Sequence, residues 1–117
     1  MILVVGGEGS GKLDYVKSLG YSEAEIAVAA LDERNVVYHT EQMVFADYEK
    51  ANALLQPLLA KEVVMCSEVG SGIIPTDRAQ RLGREAVGRL CCQLAREATA
   101  VVRLVCGIPT AIKGELP

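Results

Sequence analysis

The sequence predicts an α/β fold, a three-layer sandwich with a mostly parallel central sheet. Apolar runs typical of strands alternate with segments of helical periodicity along the chain. The first run, Met1–Val5, is continuously apolar, as expected for a strand buried on both faces. With 117 residues, half of them hydrophobic, and no linker, repeat or low-complexity tract, we expect a single domain spanning residues 1–117.

The first half of the chain predicts one helix and two short strands. A helix is expected from Gly11 to Gly20, because its apolar residues have helical spacing and a glycine stops it. Short strands are expected over 26–30 and 35–39. The segment 26–30 could also be a piece of helix, since an apolar run this short fits both structures.

The second half predicts two helices and two strands. The first helix has one apolar face, and Pro57 should end or kink it; the face comprises Met43, Val44, Tyr48, Ala51, Leu54, Leu55, Leu58 and Leu59. Val63–Cys66 has the pattern of a buried strand. Thr76 can cap the next helix, whose apolar stripe is Ala79, Leu82, Ala86, Leu90 and Leu94. The last strand is expected over Ala100–Cys106, and the tail to Pro117 is too short for another large element.

Charge and composition argue against several functions. A net charge of -3 creates no positive field that would gather nucleic acid or an anionic membrane, and 4% aromatic residues leave little for stacking on bases. No apolar stretch approaches the roughly 18 residues of a membrane span, so we expect a cytoplasmic protein. The four cysteines form no CxxC pair and there is one histidine. We therefore expect reduced thiols packed as small hydrophobes rather than a zinc site.

A glycine-rich segment between the first strand and the first helix has the pattern of a phosphate-binding loop. In order it comprises Gly6, Gly7, Glu8, Gly9, Ser10, Gly11, Lys12 and Leu13. The context of strand, loop and helix is the one that the pattern GxxxxGK[ST] requires. The glycine amides can point at a phosphate and Lys12 can reach the outer phosphates. We predict that GTP or ATP binds here; the alternative is a tight glycine turn with a surface lysine.

Two positions depart from the magnesium-binding part of that pattern. Leu13 stands where Ser or Thr would offer a hydroxyl to the ion. The strand over 35–39 ends in Tyr38 and His39, where such enzymes carry an acid. We therefore expect no metal site formed by the protein and only a weak dependence of nucleotide binding on magnesium.

A second signature suggests a family. It comprises Cys66-Ser-Glu-Val-Gly-Ser-Gly-Ile-Ile-Pro75, then Arg78, Arg81, Arg84, Gly88 and Arg89, and later Cys106-Gly-Ile-Pro109 with Ile112-Lys113. Together with the opening residues 1–13, this pattern resembles the bifunctional adenosylcobinamide kinase and adenosylcobinamide-phosphate guanylyltransferase family of cobalamin biosynthesis. The resemblance implies a RecA-like P-loop sheet, phosphorylation of a cobinamide hydroxyl and transfer of GMP through a histidine intermediate. It also implies adenosylcobinamide as a partner and a homo-oligomer, with a trimer favoured.

The resemblance also implies roles for individual residues. Lys12 would bind the phosphates during transfer. Glu68, at the end of the strand over 63–66, would position a metal-bound water or a substrate hydroxyl, since P-loop sheets gather their chemistry at strand carboxyl ends. The alternative for Glu68 is an ion pair with an arginine such as Arg78 or Arg81.

The sequence differs from this family pattern at several functional positions. Family members are longer, and residues 20–61 lack the segment that bears the guanylylated histidine, so we expect His39 to be structural and not the nucleophile. Tyr38 replaces an acid, Ser67 replaces an asparagine or a similar residue, and Cys91-Cys92 replaces an Asn-Gln pair. Two functions remain open: a shortened, divergent kinase or guanylyltransferase, and a noncatalytic sensor or scaffold that binds a nucleotide or cobinamide. An unrelated P-loop kinase would need an acid or lid that this pattern does not show.

Overall fold

A single six-stranded sheet forms the centre of the protein, in a computed structural model that describes residues 1–69 and 77–117. The strands are β1 (Ile2–Gly6), β2 (Ile26–Val28), β3 (Val36–Tyr38), β4 (Val63–Ser67), β5 (Ala100–Val105) and β6 (Ile108–Lys113). Their order is β2-β3-β4-β1-β5-β6, and only the β5–β6 pair is antiparallel. The predicted α/β sandwich with a mostly parallel sheet is confirmed.

Helices cover both faces of the sheet. They are α1 (Lys12–Ser18), α2 (Thr40–Ala46), α3 (Leu55–Leu59) and α4 (Arg78–Glu97). Helix α1 packs through Val16 onto one face, with Val4 and Met65 beneath it. Helices α2, α3 and α4 cover the other face, where their apolar residues join one core cluster with those of the sheet. Across the described residues, no helix is long and apolar enough to cross a membrane.

The helix expected after β3 is divided into three pieces. Helix α2 ends at Ala46, because Asp47 leaves the helical region with φ -156°. A 3-10 segment, Tyr48–Leu54, then leads into α3. Pro57 lies in the first turn of α3, where the missing N–H costs no helical hydrogen bond, so the expectation that Pro57 ends or kinks the helix was wrong. The predicted apolar residues still point inward, since Val44, Ala51 and Leu58 are buried.

The longest helix, α4, is capped by Asp77. The Asp77 carboxylate accepts hydrogen bonds from the backbone N–H of Ala79, at 2.7 Å, and of Gln80. Thr76, the predicted cap, lies outside the described residues. The helix approaches α2 closely at Gly83, where an added Cβ would lie 2.5 Å from the ring of Phe45. The predicted stripe is buried from the middle of the helix onward, whereas Ala79 is exposed.

The tail forms a sixth strand, which corrects the expectation that nothing large follows β5. Strand β6 pairs with β5 through a two-residue turn, Cys106 and Gly107, whose φ angles are 50° and 77°. Positive φ at both positions matches the tight turn that joins hairpin strands. Pro109 is accommodated because β6 is an edge strand, where a missing N–H breaks no central ladder.

Candidate functional site

The glycine-rich loop crosses the carboxyl edge of the sheet between β1 and α1. Gly9 and Gly11 have φ angles of 73° and 96°, in the left-handed region that glycine adopts without strain. The N–H of Ser10 donates to the carbonyl of Gly7 at 3.1 Å and closes the turn. The order of strand, turn and helix is the one expected of a phosphate loop.

The β5–β6 hairpin packs against this loop. The N–H of Gly107 donates to the carbonyl of Ser10 at 2.8 Å. A Cβ added at Gly11 would lie 3.2 Å from the Cα of Gly107, and one added at Gly6 would lie 2.7 Å from the carbonyl oxygen of Leu104. Side chains at either glycine would therefore separate the loop from the sheet, so the hairpin that sequence reasoning missed is part of the site.

Lys12 is enclosed by the loop instead of lying on the surface. Its side chain is buried, and Nζ donates to the carbonyls of Gly7 at 2.8 Å and Gly6 at 3.3 Å. Burial lowers the pKa of Lys12, and the strongest opposing influence is the negative charge of Glu41. The alternative placed this lysine on the surface, and that part of it was wrong. A phosphate oxygen would be a stronger acceptor for this ammonium group than the two carbonyls.

A cleft of about 260 Å³ opens beside the loop. It is lined by Gly9, Ser10, Gly11, Lys12, Leu13, Asp14 and Tyr38. Tyr38 stacks on the ring of His39, with a centroid separation of 3.8 Å, and burial raises the pKa of its phenol. At the position where an acid was expected, the cleft therefore has a neutral hydroxyl at physiological pH. Leu13 adds only an aliphatic side chain.

A buried acid nearby, Glu41, was missed by the sequence analysis. Glu41 is 7% exposed, and its Oε1 accepts a hydrogen bond from the backbone N–H of Ser67 at 2.9 Å. Its Oε2 lies 3.0 Å from Nδ1 of His39. The sequence signal that could have drawn attention to Glu41 is an acid in the first turn of a helix that follows a strand. The burial of Glu41 could not be predicted, because it depends on Ser67, which is distant in the sequence.

Glu68 lies next to the loop but is engaged in an ion pair. Its N–H donates to the carbonyl of Gly6 at 2.8 Å. Its carboxylate accepts from Arg103 at both oxygens, at 2.8 Å from Nε and 3.1 Å from Nη2. The alternative predicted an arginine partner, but the arginines it named, Arg78 and Arg81, were wrong. The partner is Arg103 on β5, which reaches across β1 to the residue that follows β4. The pair is partly exposed, which weakens it in water.

A wider cavity, of about 580 Å³, lies on the other side of Glu68. Its described lining comprises Phe45, Glu68, Val69, Ala79, Gln80 and Arg84. Glu68 thus contacts the loop through its backbone N–H and also lines this second open space.

The side chains at this edge do not fit a magnesium site made by the protein. Among residues 1–69 and 77–117, no group of three His, Cys, Asp or Glu side chains is placed to hold a metal ion. The carboxylates of Glu41 and Glu68 each already bind a protein donor, and Leu13 has no oxygen to offer. A hard cation here would depend on oxygen atoms that a ligand brings.

Comparison with known proteins identifies the family. The sequence model of the family described as "Cobinamide kinase / cobinamide phosphate guanyltransferase" matches residues 26–112, most of the chain. This protein belongs to that family. The match includes Glu41, Glu68 and Arg103, and confirms the resemblance found in the sequence. The glycine-rich loop precedes the matched range, so a role in phosphate binding has to be argued from its own pattern and geometry.

One curated relative shows how far the similarity extends. The chain is 40% identical over 73 residues to the bifunctional adenosylcobalamin biosynthesis protein CobU of Escherichia coli strain K12. The aligned region covers 62% of this chain and 40% of that protein. The aligned part of this chain therefore covers less than half the length of that curated relative.

Proposed function

We propose that this chain binds a nucleoside triphosphate, GTP or ATP, through residues 6–13 and acts in cobalamin biosynthesis in the cytoplasm. The observation that carries the proposal is the enclosed ammonium group of Lys12, held between the carbonyls of Gly6 and Gly7 at the N-terminus of α1. Family membership is the basis for proposing a role in cobalamin biosynthesis.

Phosphate binding at the loop would exchange weak internal bonds for stronger ones. Lys12 would turn from two neutral carbonyls to charged phosphate oxygens, and charge-assisted hydrogen bonds are roughly twice as strong as neutral ones. The backbone N–H groups at the start of α1 add donors and the positive end of the helix dipole. The left-handed glycines allow the chain to pass close to the phosphates without a side chain in the way.

Magnesium is proposed to enter bound to the nucleotide. The protein contributes no hydroxyl at Leu13, and the phenol of Tyr38 is a poor ligand for a hard cation. The ion would be held by phosphate oxygens and water and would neutralise their charge.

A transferase is the second candidate, and the position of Glu68 favours it. Lys12 and Glu68 would be the catalytic residues, with Lys12 on the phosphates and Glu68 accepting the proton of an acceptor hydroxyl in the cavity of about 580 Å³. Adenosylcobinamide is the acceptor that family membership suggests. Against this role, Glu68 would first have to leave Arg103, and nothing at Leu13 or Tyr38 helps to hold the metal. We therefore favour binding without efficient transfer, as in a sensor or scaffold.

The proposal is tested by calorimetric titration of the full chain with GTP, ATP and inorganic pyrophosphate, with and without magnesium. Saturable binding of a triphosphate, competed by pyrophosphate, is expected. Absence of binding at millimolar nucleotide would contradict the proposal. Repeating the titration with adenosylcobinamide present, and analysing the products, separates the two candidates: a phosphorylated or guanylylated cobinamide would establish the transferase.

We also propose that the chain forms a homo-oligomer, with a trimer favoured by the family. Several large apolar side chains near the β5–β6 hairpin are exposed; they are Val105, Ile108, Ile112 and Leu116. Light scattering over a range of protein concentrations tests this proposal, and a monomer whose mass does not change with concentration would refute it.

A further inference from the structure

The side of α4 that points away from the sheet is exposed. Glu85, Cys92 and Arg96 lie there in one row, because positions four or seven residues apart share a face of a helix. Gly88 and Arg89 lie beside this row and are exposed as well. Together these five residues form the outer face of α4. The buried residues of the helix lie on the opposite side, in the core against the sheet.

The arginines of the outer face are not paired within the chain. Neither Arg89 nor Arg96 forms an ion pair or a side-chain hydrogen bond with any residue that the structure describes. Helix α4 carries five arginines and no lysine. A face that only has to be solvated accepts lysine equally well, whereas arginine is enriched and lysine is depleted at protein interfaces. The composition of α4 therefore indicates contact with another protein surface.

Gly88 has no packing role inside the chain. A Cβ added at Gly88 would meet nothing within 4 Å, whereas one added at Gly83 would lie 2.5 Å from the ring of Phe45. Because glycine destabilises a helix relative to alanine, only Gly83 is explained by the fold of this chain. A shallow groove of about 570 Å³ lies over this part of α4, lined by Glu85, Gly88, Arg89, Cys92, Gln93 and Arg96. A second helix has room to approach α4 closely here.

We propose that the outer face of α4 binds the same face of a second copy of this chain, with the two helices antiparallel about a two-fold axis. Each contact of such a pair occurs twice, once from each copy. The alignment places Glu85 opposite Arg96 of the second copy, and Arg89 opposite Cys92 of the second copy. This interface is independent of the proposed nucleotide function and separate from the exposed apolar side chains near the β5–β6 hairpin.

Charge complementarity selects this occupant and this alignment. Glu85 and Arg96 lie near the two ends of the outer face, so the antiparallel pair has a Glu85–Arg96 ion pair at each end. A parallel pair in register would instead place each charge next to the same charge of the second copy. Between the two ion pairs lie the small residues Gly88 and Cys92, which suit close packing of two helices.

The test is cross-linking of the full chain through Cys92 with bismaleimidoethane, a short reagent that joins two thiols. Cys106→Ser serves as the background, so that the other exposed cysteine cannot react. The two copies of Cys92 lie close to the proposed axis, with their Cα atoms roughly 10 Å apart. A covalent dimer that is lost in Cys92→Ser is expected. Absence of the covalent dimer, or its persistence in Cys92→Ser, would overturn the proposal.

Charge reversals test the alignment in the same cross-linking experiment. Glu85→Arg and Arg96→Glu each place like charges opposite one another and should lower the yield of covalent dimer by about five- to thirtyfold. The double variant exchanges the two charges and should restore the yield. Lys17→Glu, a charge reversal on α1 at the other face of the sheet, is the matched control and should leave the yield unchanged. Equal yields in all variants, or no recovery in the double variant, would overturn the proposal.

A final substitution separates close packing from charge attraction alone. Gly88→Leu keeps every charge, but its side chain would occupy the space between the helices, so the yield of covalent dimer should fall. Because leucine favours a helix more than glycine does, the free energy of unfolding, measured by urea denaturation, should not decrease. An unchanged yield in Gly88→Leu would overturn the close helix contact.

Discussion

The glycine-rich loop, residues 6–13, and the acidic side of the site, residues 38–41 with Glu68, lie at the same edge of the sheet. They differ in how readily a ligand could replace the present partners of their charged side chains. In the loop, Lys12 donates to the carbonyls of Gly6 and Gly7, which a phosphate can replace. On the acidic side, Glu41 and Glu68 each bind protein donors. Binding an anion needs the loop alone, whereas transferring a phosphoryl or nucleotidyl group also needs the acidic side. The contrast is the basis for proposing nucleotide binding without efficient transfer.

The largest expected effect is on the loop side. Lys12→Ala should weaken GTP or ATP binding by roughly 1.5 to 3 kcal/mol, or about 10- to 150-fold, because a charge-assisted hydrogen bond to the phosphates is lost. Calorimetry measures the change. Lys17→Ala is the matched control, since Lys17 lies on the same helix and pairs with the exposed Glu23. Equal affinities for Lys12→Ala and the unmodified protein would contradict nucleotide binding at the loop.

On the acidic side, substitution of Glu41 should affect stability more than binding. Glu41→Ala leaves the buried N–H of Ser67 without its acceptor and should lower the free energy of unfolding by about 1 to 3 kcal/mol, measured by urea denaturation. Glu41→Gln can keep that bond and should cost less. Because the carboxylate repels phosphate, Glu41→Gln should tighten nucleotide binding by about two- to fivefold. A loss of affinity as large as that of Lys12→Ala would instead place Glu41 in the binding site.

A smaller effect is expected where the two sides adjoin, at Leu13. Leu13→Thr should strengthen nucleotide binding in magnesium by about 1 kcal/mol or less, because the new hydroxyl can coordinate the ion. Leu13→Val introduces a side chain with nearly the shape of threonine but without the hydroxyl, so this variant should show no such gain. If magnesium dependence is the same for both variants, a single missing hydroxyl does not explain the weak metal site.

The smallest effect is expected at the Glu68–Arg103 ion pair. The two side chains are partly exposed, so their coupling in a double-mutant cycle with Glu68→Ala and Arg103→Ala should be about 0.2 to 1 kcal/mol of unfolding free energy. Arg103→Ala alone should also free the Glu68 carboxylate. Appearance of cobinamide phosphorylation or guanylylation in that variant would show that the ion pair restrains a competent residue.

The sequence could predict those structural features whose cause lies within one short segment of the chain. Strand β1, the loop and α1 were predicted because their signals are contiguous: an apolar run, glycines and helical spacing. Strand β6 was missed because a short tail becomes a strand only by pairing with β5. The division of the segment after β3 also escaped prediction, since its apolar residues keep a helical spacing while the backbone changes at Asp47.

The site follows the same rule. The positions of Lys12 and Glu68 near one edge followed from the parallel order of the strands. The partners of the acids did not, because Glu41 bonds to Ser67 and Glu68 bonds to Arg103 across long stretches of sequence. The chemical availability of a carboxylate is set by such distant neighbours, and composition and spacing do not reveal it.

His39 provides the sharpest test of binding without transfer. Its Nδ1 lies 3.0 Å from Glu41, which gives it one feature that a nucleophilic histidine requires, an oriented ring. His39 nevertheless follows β3 directly, and it does not correspond to the position that is expected to carry the family's nucleophile. Incubation of the full chain with GTP labelled on the α-phosphate and magnesium should give reversible binding and no acid-labile label on the protein. A stoichiometric adduct that disappears in His39→Ala would contradict the account.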